Sequence, residues 1–432
     1  MGRRAFATVV GLSGLAALLS LPMAALASPV GQYGRGGGGG GWSWPAGWSG
    51  ACAGSAGGAA SAIACNAIEL DNPFSWQGHH VVPSRSHGGR GSPPPTTPSG
   101  YDPADLQGAY GLTTASANDG AGKTVAIVDA YSDPDALSNL STYRSQWGLE
   151  PVCSGRATSG CITFTQESQR GTSPNVGWSE EISVDLDMVS AICPLCNILL
   201  VEASSPTTAS LGTAENTAAA AGVVSIGNSY AGGDSASDTS SDTLYYDHPG
   251  VAITAATGDS AYAGGVGYPA ASPDVIAVGG TTLTAASNTR GYTETAWSGA
   301  GSGCSQYEGQ PSWQEGISNI TSVCGKRALA DVSAVADPNT GVAVYDTYGL
   351  SGWTVFGGTS VSTQIISAIY GLAGGLGTNG ASGGASGLYA SPGAFFNITS
   401  GSTGSCGTDL CNAGPGWNGP TGLGTPDGAG AF

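Results

Sequence analysis

Thr124-Val125-Ala126-Ile127-Val128-Asp129 is an unbroken apolar, β-branched run that ends on a carboxylate. A run with no polar residue at alternate positions reads as a strand buried on both faces. The pattern around it repeats the theme. Residues 134–147 and 179–192 read as helices, the second with Ser179 as N-cap and Pro194 beyond its end. Residues 198–202, 223–227, 251–256, 275–278 and 342–345 read as further strands, and residues 209–221 as a helix of small residues. Leu106, Tyr110 and Leu112 suggest a short helix leading into the fold, and residues 359–373 a helix near its end. Apolar strands interleaved with helices predict an α/β fold with a mostly parallel central sheet and helices on both faces. Sites in such sheets gather at strand C-termini and helix N-termini.

The flanks of this region differ in composition. Residues 1–27 carry Arg3 and Arg4, an apolar run over residues 9–21, and Ala25-Leu26-Ala27, the pattern of a secretory signal with its cleavage site. Residues 28–100 hold Gly36 to Gly41 in one run and Pro93-Pro94-Pro95, and read as an unstructured leader. Residues 101–432 then read as a single domain. Of the 432 residues 73 are glycine and 10% are charged, with a formal net charge of −18. Residues 1–100 contain five Arg and two acidic residues, which leaves 7 basic against 28 acidic residues from 101 onward, a net of −21. Such a surface excludes nucleic acid and anionic membranes as natural partners. Ten cysteines fall into five near neighbours, Cys52/Cys65, Cys153/Cys161, Cys193/Cys196, Cys304/Cys324 and Cys406/Cys411, which suits disulfide staples in an oxidising destination. Cys193-Pro194-Leu195-Cys196 has no second pair of matching spacing to complete a zinc site.

Ser360, in Phe356-Gly357-Gly358-Thr359-Ser360-Val361-Ser362, opens the helix 359–373 after a Gly-Gly turn. A serine nucleophile needs a base. Histidine is the usual one, yet His79, His80 and His87 lie in the leader and only His248 lies in the domain, in a loop-like Asp-His-Pro-Gly. The base must then be a carboxylate. Glu181 and Asp185 stand four apart on the helix 179–192, on one face beside the stripe of Ile182, Leu186 and Val189. Two acids that close have their pKa values pushed apart and can pass a proton. The same spacing also suits a solvated acidic helix start. Gly258-Asp259-Ser260 follows the strand 251–256, where a carboxyl held neutral can donate to an oxyanion, although Gly-Asp also makes a simple turn.

Together these pieces resemble the sedolisins, secreted serine-carboxyl peptidases with a subtilisin-like fold. The resemblance runs from about Tyr101 to Pro426 through Asp105-Leu106-Gln107-Gly108-Ala109-Tyr110, Glu181 with Asp185, Ala255-Ala256-Thr257-Gly258-Asp259-Ser260, Tyr268-Pro269-Ala270-Ala271-Ser272-Pro273, Val278-Gly279-Gly280-Thr281, Asp331-Val332-Ser333-Ala334 and Gly358-Thr359-Ser360. It implies that Ser360 is the nucleophile, Glu181 its base, Asp185 the support of that base, and Asp259 the protonated oxyanion donor. Asp129 matches a carboxylate behind that set, and Tyr230 stands where a tryptophan is usual. The family's C-terminal calcium site maps to Asn397, Ile398, Gly414, Gly416 and Asn418, with amides in place of two aspartates, so calcium binding is expected to be weak or absent and no other cofactor is implied. Two more departures are the short glycine-rich leader in place of a folded propeptide and Val361-Ser362-Thr363 after the nucleophile. The expectation is a secreted, extracellular, monomeric endopeptidase acting in acid on proteins or peptides, free of the membrane once its signal is removed. A rival of another class is a pseudopeptidase that binds polypeptide without cutting it. A Ser/His/Asp enzyme would need a histidine early in the domain, and there is none.

Overall fold

Residues 124–130 lie inside an eight-stranded sheet in a computed structural model that describes residues 48–52, 63–71, 76–78, 98–154, 159–376 and 384–432. In chain order the strands are β1 (Trp48–Gly50), β2 (Ala64–Cys65), β3 (Ile68–Leu70), β4 (Thr124–Ala130), β5 (Phe164–Ser168), β6 (Asn197–Ala203), β7 (Ser225–Asn228), β8 (Tyr230–Gly233), β9 (Ala252–Ala256), β10 (Gly267–Tyr268), β11 (Ile276–Ala285), β12 (Tyr292–Ala296), β13 (Gly303–Gly309), β14 (Lys326–Leu329), β15 (Val332–Val335), β16 (Val342–Asp346) and β17 (Gly352–Gly357). The central sheet runs β12-β11-β9-β7-β4-β6-β5, with β15 also on β11. Only the β11–β12 pair is antiparallel; all other pairs in it are parallel.

The period-two geometry of a strand sends alternate side chains to opposite faces. In β4, Val125 and Ile127 join Ile182, Val189, Ile365 and Ile369, while Ala126 and Val128 join Leu211, Ala214 and Ala218. The run is continuous in sequence because both faces are covered. At about 25 cal/mol per Å² of apolar surface, burial on both sides is what holds such a strand central.

Two helices cover the first face and carry the chemistry. Thr359–Ala373 begins and ends where the sequence predicts, between Gly358 and a left-handed Gly374. Val176–Ile192 begins one turn earlier than predicted. Its cap is Asn175, not Ser179, and the Asn175 side chain accepts from the Trp178 N–H at 3.1 Å. Every residue of this helix from Gly177 to Ile192 is buried. The solvated acidic helix is thereby excluded.

The largest difference from expectation lies in residues 28–100. Segments of this stretch form β1, β2 and β3 instead of remaining unstructured. They borrow edges from the domain: β3 pairs with β17 and β1 with β3, while β2 pairs with β8. Residues 1–47, with the signal-like segment, lie outside the described residues. All five disulfides join the expected near neighbours.

Asn175→Ala removes the cap of the helix that carries both carboxyls. A loss of about 1 kcal/mol in unfolding free energy is expected, measured by denaturant titration. No change would mean that tertiary burial alone fixes the helix start.

Candidate functional site

The turn into the Thr359–Ala373 helix makes room for chemistry. Gly358 has φ of 98°, a conformation that L side chains rarely adopt. A Cβ there would also collide with the Asn66 carbonyl oxygen and lie 2.7 Å from Asp259 Oδ2. Ser360 is the second residue of the helix and is fully buried. Its hydroxyl donates to the Ser229 carbonyl at a long 3.3 Å, and it also rests against the Glu181 carboxyl, whose pKa it lowers.

Glu181 and Asp185 lie one turn apart and are both fully buried. Glu181 Oε2 accepts the Ala67 N–H at 2.8 Å, and Oε1 has no hydrogen-bond partner within bonding geometry. Asp185 accepts the Ser229 hydroxyl at 2.8 Å on one oxygen and the Gln364 amide at 2.6 Å on the other. Asp129, near the end of β4, stands beside Asp185, with no donor on either of its oxygens. Burial is the first cause that raises all three pKa values, and neighbouring carboxylates add to it, Glu202 in the case of Asp129. For Glu181 and Asp185 the neighbouring charge that adds most is Asp129.

Asp259 sits just past the C-terminus of β9. Its Oδ1 accepts the Thr359 N–H at 2.8 Å and the Thr359 hydroxyl at 2.7 Å, while Oδ2 has no partner and faces the Gly358 notch. Burial pushes its pKa up to about 7, against the lowering effect of the two Thr359 donors. Below that pH the carboxyl is a neutral acid. With Oδ1 already accepting twice, the proton belongs on Oδ2, which makes that oxygen a donor into the notch.

The structure therefore brings Ser360, Glu181, Asp185, Asp259 and Asp129 into one buried cluster. Tyr230 stands behind it, donating to Asn228 Oδ1 at 2.6 Å and packing against Trp178. Three contributors went unrecognised in sequence. Gln364 and Ser229 orient Asp185, and Thr359 orients Asp259. Gln364 was detectable as the residue one turn beyond Ser360 on the same face; Ser229 and Thr359 carry no signal beyond adjacency to Tyr230 and Ser360. Residues 66 and 67 of the leader were missed altogether.

The C-terminal positions Asn397, Ile398, Gly414, Gly416 and Asn418 also meet, but as donors and acceptors of one another. Asn397 Nδ2 donates to the Gly416 carbonyl at 2.9 Å, and Asn418 Nδ2 donates to the Ile398 and Gly414 carbonyls at 3.1 and 3.3 Å. Asn418 Oδ1 accepts the N–H and hydroxyl of Thr421 at 3.1 and 2.8 Å, which fixes the orientation of its amide. Carbonyl oxygens that could face a cation face amide N–H groups instead. This donor set does not fit a hard divalent cation.

A parallel sheet covered on both faces, with a helix-opening serine against carboxyls at the strand ends, defines a subtilisin-like fold with a serine–carboxyl site. No family profile matches the chain. Individual proteins do. The chain is 31% identical over 371 residues to kumamolisin of Bacillus sp. (strain MN-32), covering 77% of this chain and 63% of that protein. It is 35% identical over 176 residues to sedolisin of Pseudomonas sp. (strain 101), covering 38% of this chain and 29% of that protein. It thus spans less than two thirds of the curated relatives it matches. Among solved structures it resembles Pseudomonas sedolisin, a serine-carboxyl proteinase complexed with two molecules of pseudo-iodotyrostatin. The TM-score is 0.62 at 25% identity, covering 77% of this chain and 96% of that one. The chain is similar to members of the sedolisin family over most of its length.

Burial raises Asp259 to about 7 and both Glu180 and Glu215 to about 8. Unfolded, such groups ionise near a pH of about 4. Between those limits the folded state binds more protons than the unfolded one, so stability falls as pH rises. Thermal unfolding followed by circular dichroism should give the highest Tm near pH 4 and a steady decline through pH 7 to 8. A Tm that rises across this window would contradict buried, protonated carboxyls.

Proposed function

We propose that this chain is a secreted endopeptidase that hydrolyses peptide bonds in acid, with Ser360 as nucleophile. The observation that carries the reading is the unpartnered Asp259 Oδ2 facing the notch beside Ser360, with Glu181 on the other side. Ser360 Oγ attacks the substrate carbonyl and gives its proton to Glu181. Asp185 holds Glu181 in position and in a shared proton network, with Asp129 behind it. The oxyanion accepts a hydrogen bond from protonated Asp259. Glu181 then returns the proton to the leaving amine, and water repeats the sequence to release the acid. The substrates are proteins or peptides in extended conformation, which suit the edges of β8 and β17. Secretion is supported by the signal-like residues 1–27 and by the disulfides. Among the described residues no helix is long and apolar enough to cross a membrane. Calcium has at most a minor part, because Asn397 and Asn418 close the C-terminal corner by themselves.

Ser360→Ala should lower kcat/KM on an unfolded protein substrate by about 10⁴-fold or more, and adding Glu181→Gln should cost little beyond that, because residues that act as a unit are not additive. Wild-type cleavage by Ser360→Ala would end the reading.

Activity should be lost as pH rises through about 7, when Asp259 gives up its proton. Asp259→Asn keeps a donor that does not titrate, so its activity, though lower, should no longer fall in that window. An unchanged pH profile in this variant would remove Asp259 from the oxyanion role.

Melting in millimolar calcium and in chelator should agree within about 2 °C, since a ligand stabilises only as RT ln(1 + [L]/Kd). The double change Asn397→Asp, Asn418→Asp should separate the two curves. A large chelator effect on the native chain would show that amide and backbone oxygens suffice for binding.

A further inference from the structure

Residues 66–70 lie extended along the candidate site, and their register gives each position past Ser360 a neighbour. The Asn66 carbonyl oxygen occupies the space that glycine leaves open at position 358, and the Ala67 N–H donates to Glu181 Oε2 at 2.8 Å. From there β3 runs antiparallel to β17, with Ile68 opposite Gly357 and Glu69 opposite Phe356. A substrate laid along the same edge of β17 would put the third residue after its cleaved bond where Glu69 stands. Opposed residues of a strand pair share a face, as do residues two apart. The Thr354 hydroxyl accordingly donates to Glu69 Oε1 at 3.2 Å.

The groups around this position are acidic. Glu180 and Ser183 stand three apart on the helix Val176–Ile192 and share a face. The Ser183 hydroxyl donates at 3.1 Å to Asp346 Oδ1, at the end of β16. The turn after Asp346 closes over Glu180, and a Cβ on Gly349 would lie 2.9 Å from Glu180 Oε1. Glu180 is 8% exposed, and among the described residues its carboxyl has no hydrogen-bond partner. Asp346 differs: it accepts from the side chains of Asn139 and Ser183 and from the N–H groups of Tyr348, Gly349 and Leu350. The charged groups that face Glu180 are Glu69 from β3 and Asp346 from β16, both acidic.

A carboxyl that belongs to the bonding of the fold is met by donors, as Asp346 is. Glu180 is met instead by whatever side chain lies in the third position past Ser360, and there the leader offers another carboxyl. We propose that Glu180 selects a lysine or arginine as the third residue after the cleaved bond of a substrate, an inference that rests on the peptidase reading above. The ammonium or guanidinium takes the place of Glu69 between Thr354 and Glu180 and supplies the N–H donors that Glu180 lacks. Asp346, behind Glu180, adds to the attraction.

This selection has a sign in pH. With Glu69 opposite, burial first and then the charges of Glu69 and Asp346 raise Glu180 to about 8, so it keeps its proton in acid. A cation in place of Glu69 removes one of those repulsions and adds an attraction, which lowers the pKa of Glu180. Binding a basic side chain therefore releases a proton, and the preference for it strengthens as pH rises from 3 toward 6.

The full chain is assayed on peptides of one sequence that differ only at this position, with Lys or with Gln, which does not titrate. Mass spectrometry of the products fixes the cut bond, and unfolded casein serves as a separate substrate. At pH 5.5 kcat/KM should favour Lys over Gln by about tenfold or more, and at pH 3 by less. Glu180→Gln should bring the two peptides to within about threefold of each other at both pH values. Each ratio is taken within one enzyme sample, so a loss of folded protein cancels. Casein cleavage with equal rates on the two peptides, with Gln preferred, or with a Lys preference that survives in Glu180→Gln overturns this inference and leaves the peptidase reading standing. If neither casein nor the peptides are cut, both fail.

Discussion

Carboxyls buried without cations are the constraint on which the rest of this structure depends. The ion pairs among the described residues are Arg290–Glu294 and Arg327–Asp331, and neither reaches Glu181, Asp185, Asp129 or Asp259. An unpaired charge in a dry interior costs several kcal/mol. The alternatives are hydrogen bonds and protons, and the site uses both. Ser229, Gln364 and Thr359 supply donors where backbone geometry allows, and the remaining oxygens carry or share protons. The positions of the two site helices follow from this. The helix with Glu181 must be sealed along its length to keep water out, and the helix with Ser360 must pack against it closely enough for Gln364 to reach Asp185.

Much of the sheet was legible because its strands are buried on both faces. Residues 124–129, 198–202 and 251–256 are largely continuous apolar runs, and their short length and β-branched content favour a strand over a buried helix. The helix with Ser360 was legible to the residue, since Gly358 and Gly374 mark both ends. The start of the helix with Glu181 was not, because Asn175 and Ser179 are both good caps and only packing chooses between them. The β13–β14 pair was missed for a related reason: its register shifts between Cys304 and Gly309, so polar and apolar residues do not alternate cleanly.

At the site, spacing alone put Glu181 and Asp185 on one face but could not tell a sealed face from a wet one. The same acidic residues are written at the start of many exposed helices. What decides is the cover from elsewhere in the chain, and part of that cover is the leader. Its strands are invisible in composition because they bury little apolar surface themselves; their stability comes from ladder hydrogen bonds to β8 and β17, which any sequence without proline can make. Among its described residues, Ile68 and Leu70 are fully or nearly fully buried, the small apolar fraction that fixes which way β3 faces. The C-terminal corner teaches the converse. Asn397 and Asn418 lie where the resemblance implies charge, and the chain closes on itself there through amide hydrogen bonds.

The disulfides span 13, 8, 3, 20 and 5 residues, all short loops. None ties one face of the sheet to the other, so none guards against global unfolding by linking distant regions. What they restrict is local fraying at the margins. Under the proposed activity, the chain would meet identical copies that attack any strand able to lift away and lie extended. Pinned margins would deny those copies a first foothold, so endurance among them would depend on how seldom its loops come loose, more than on how firmly its centre is packed.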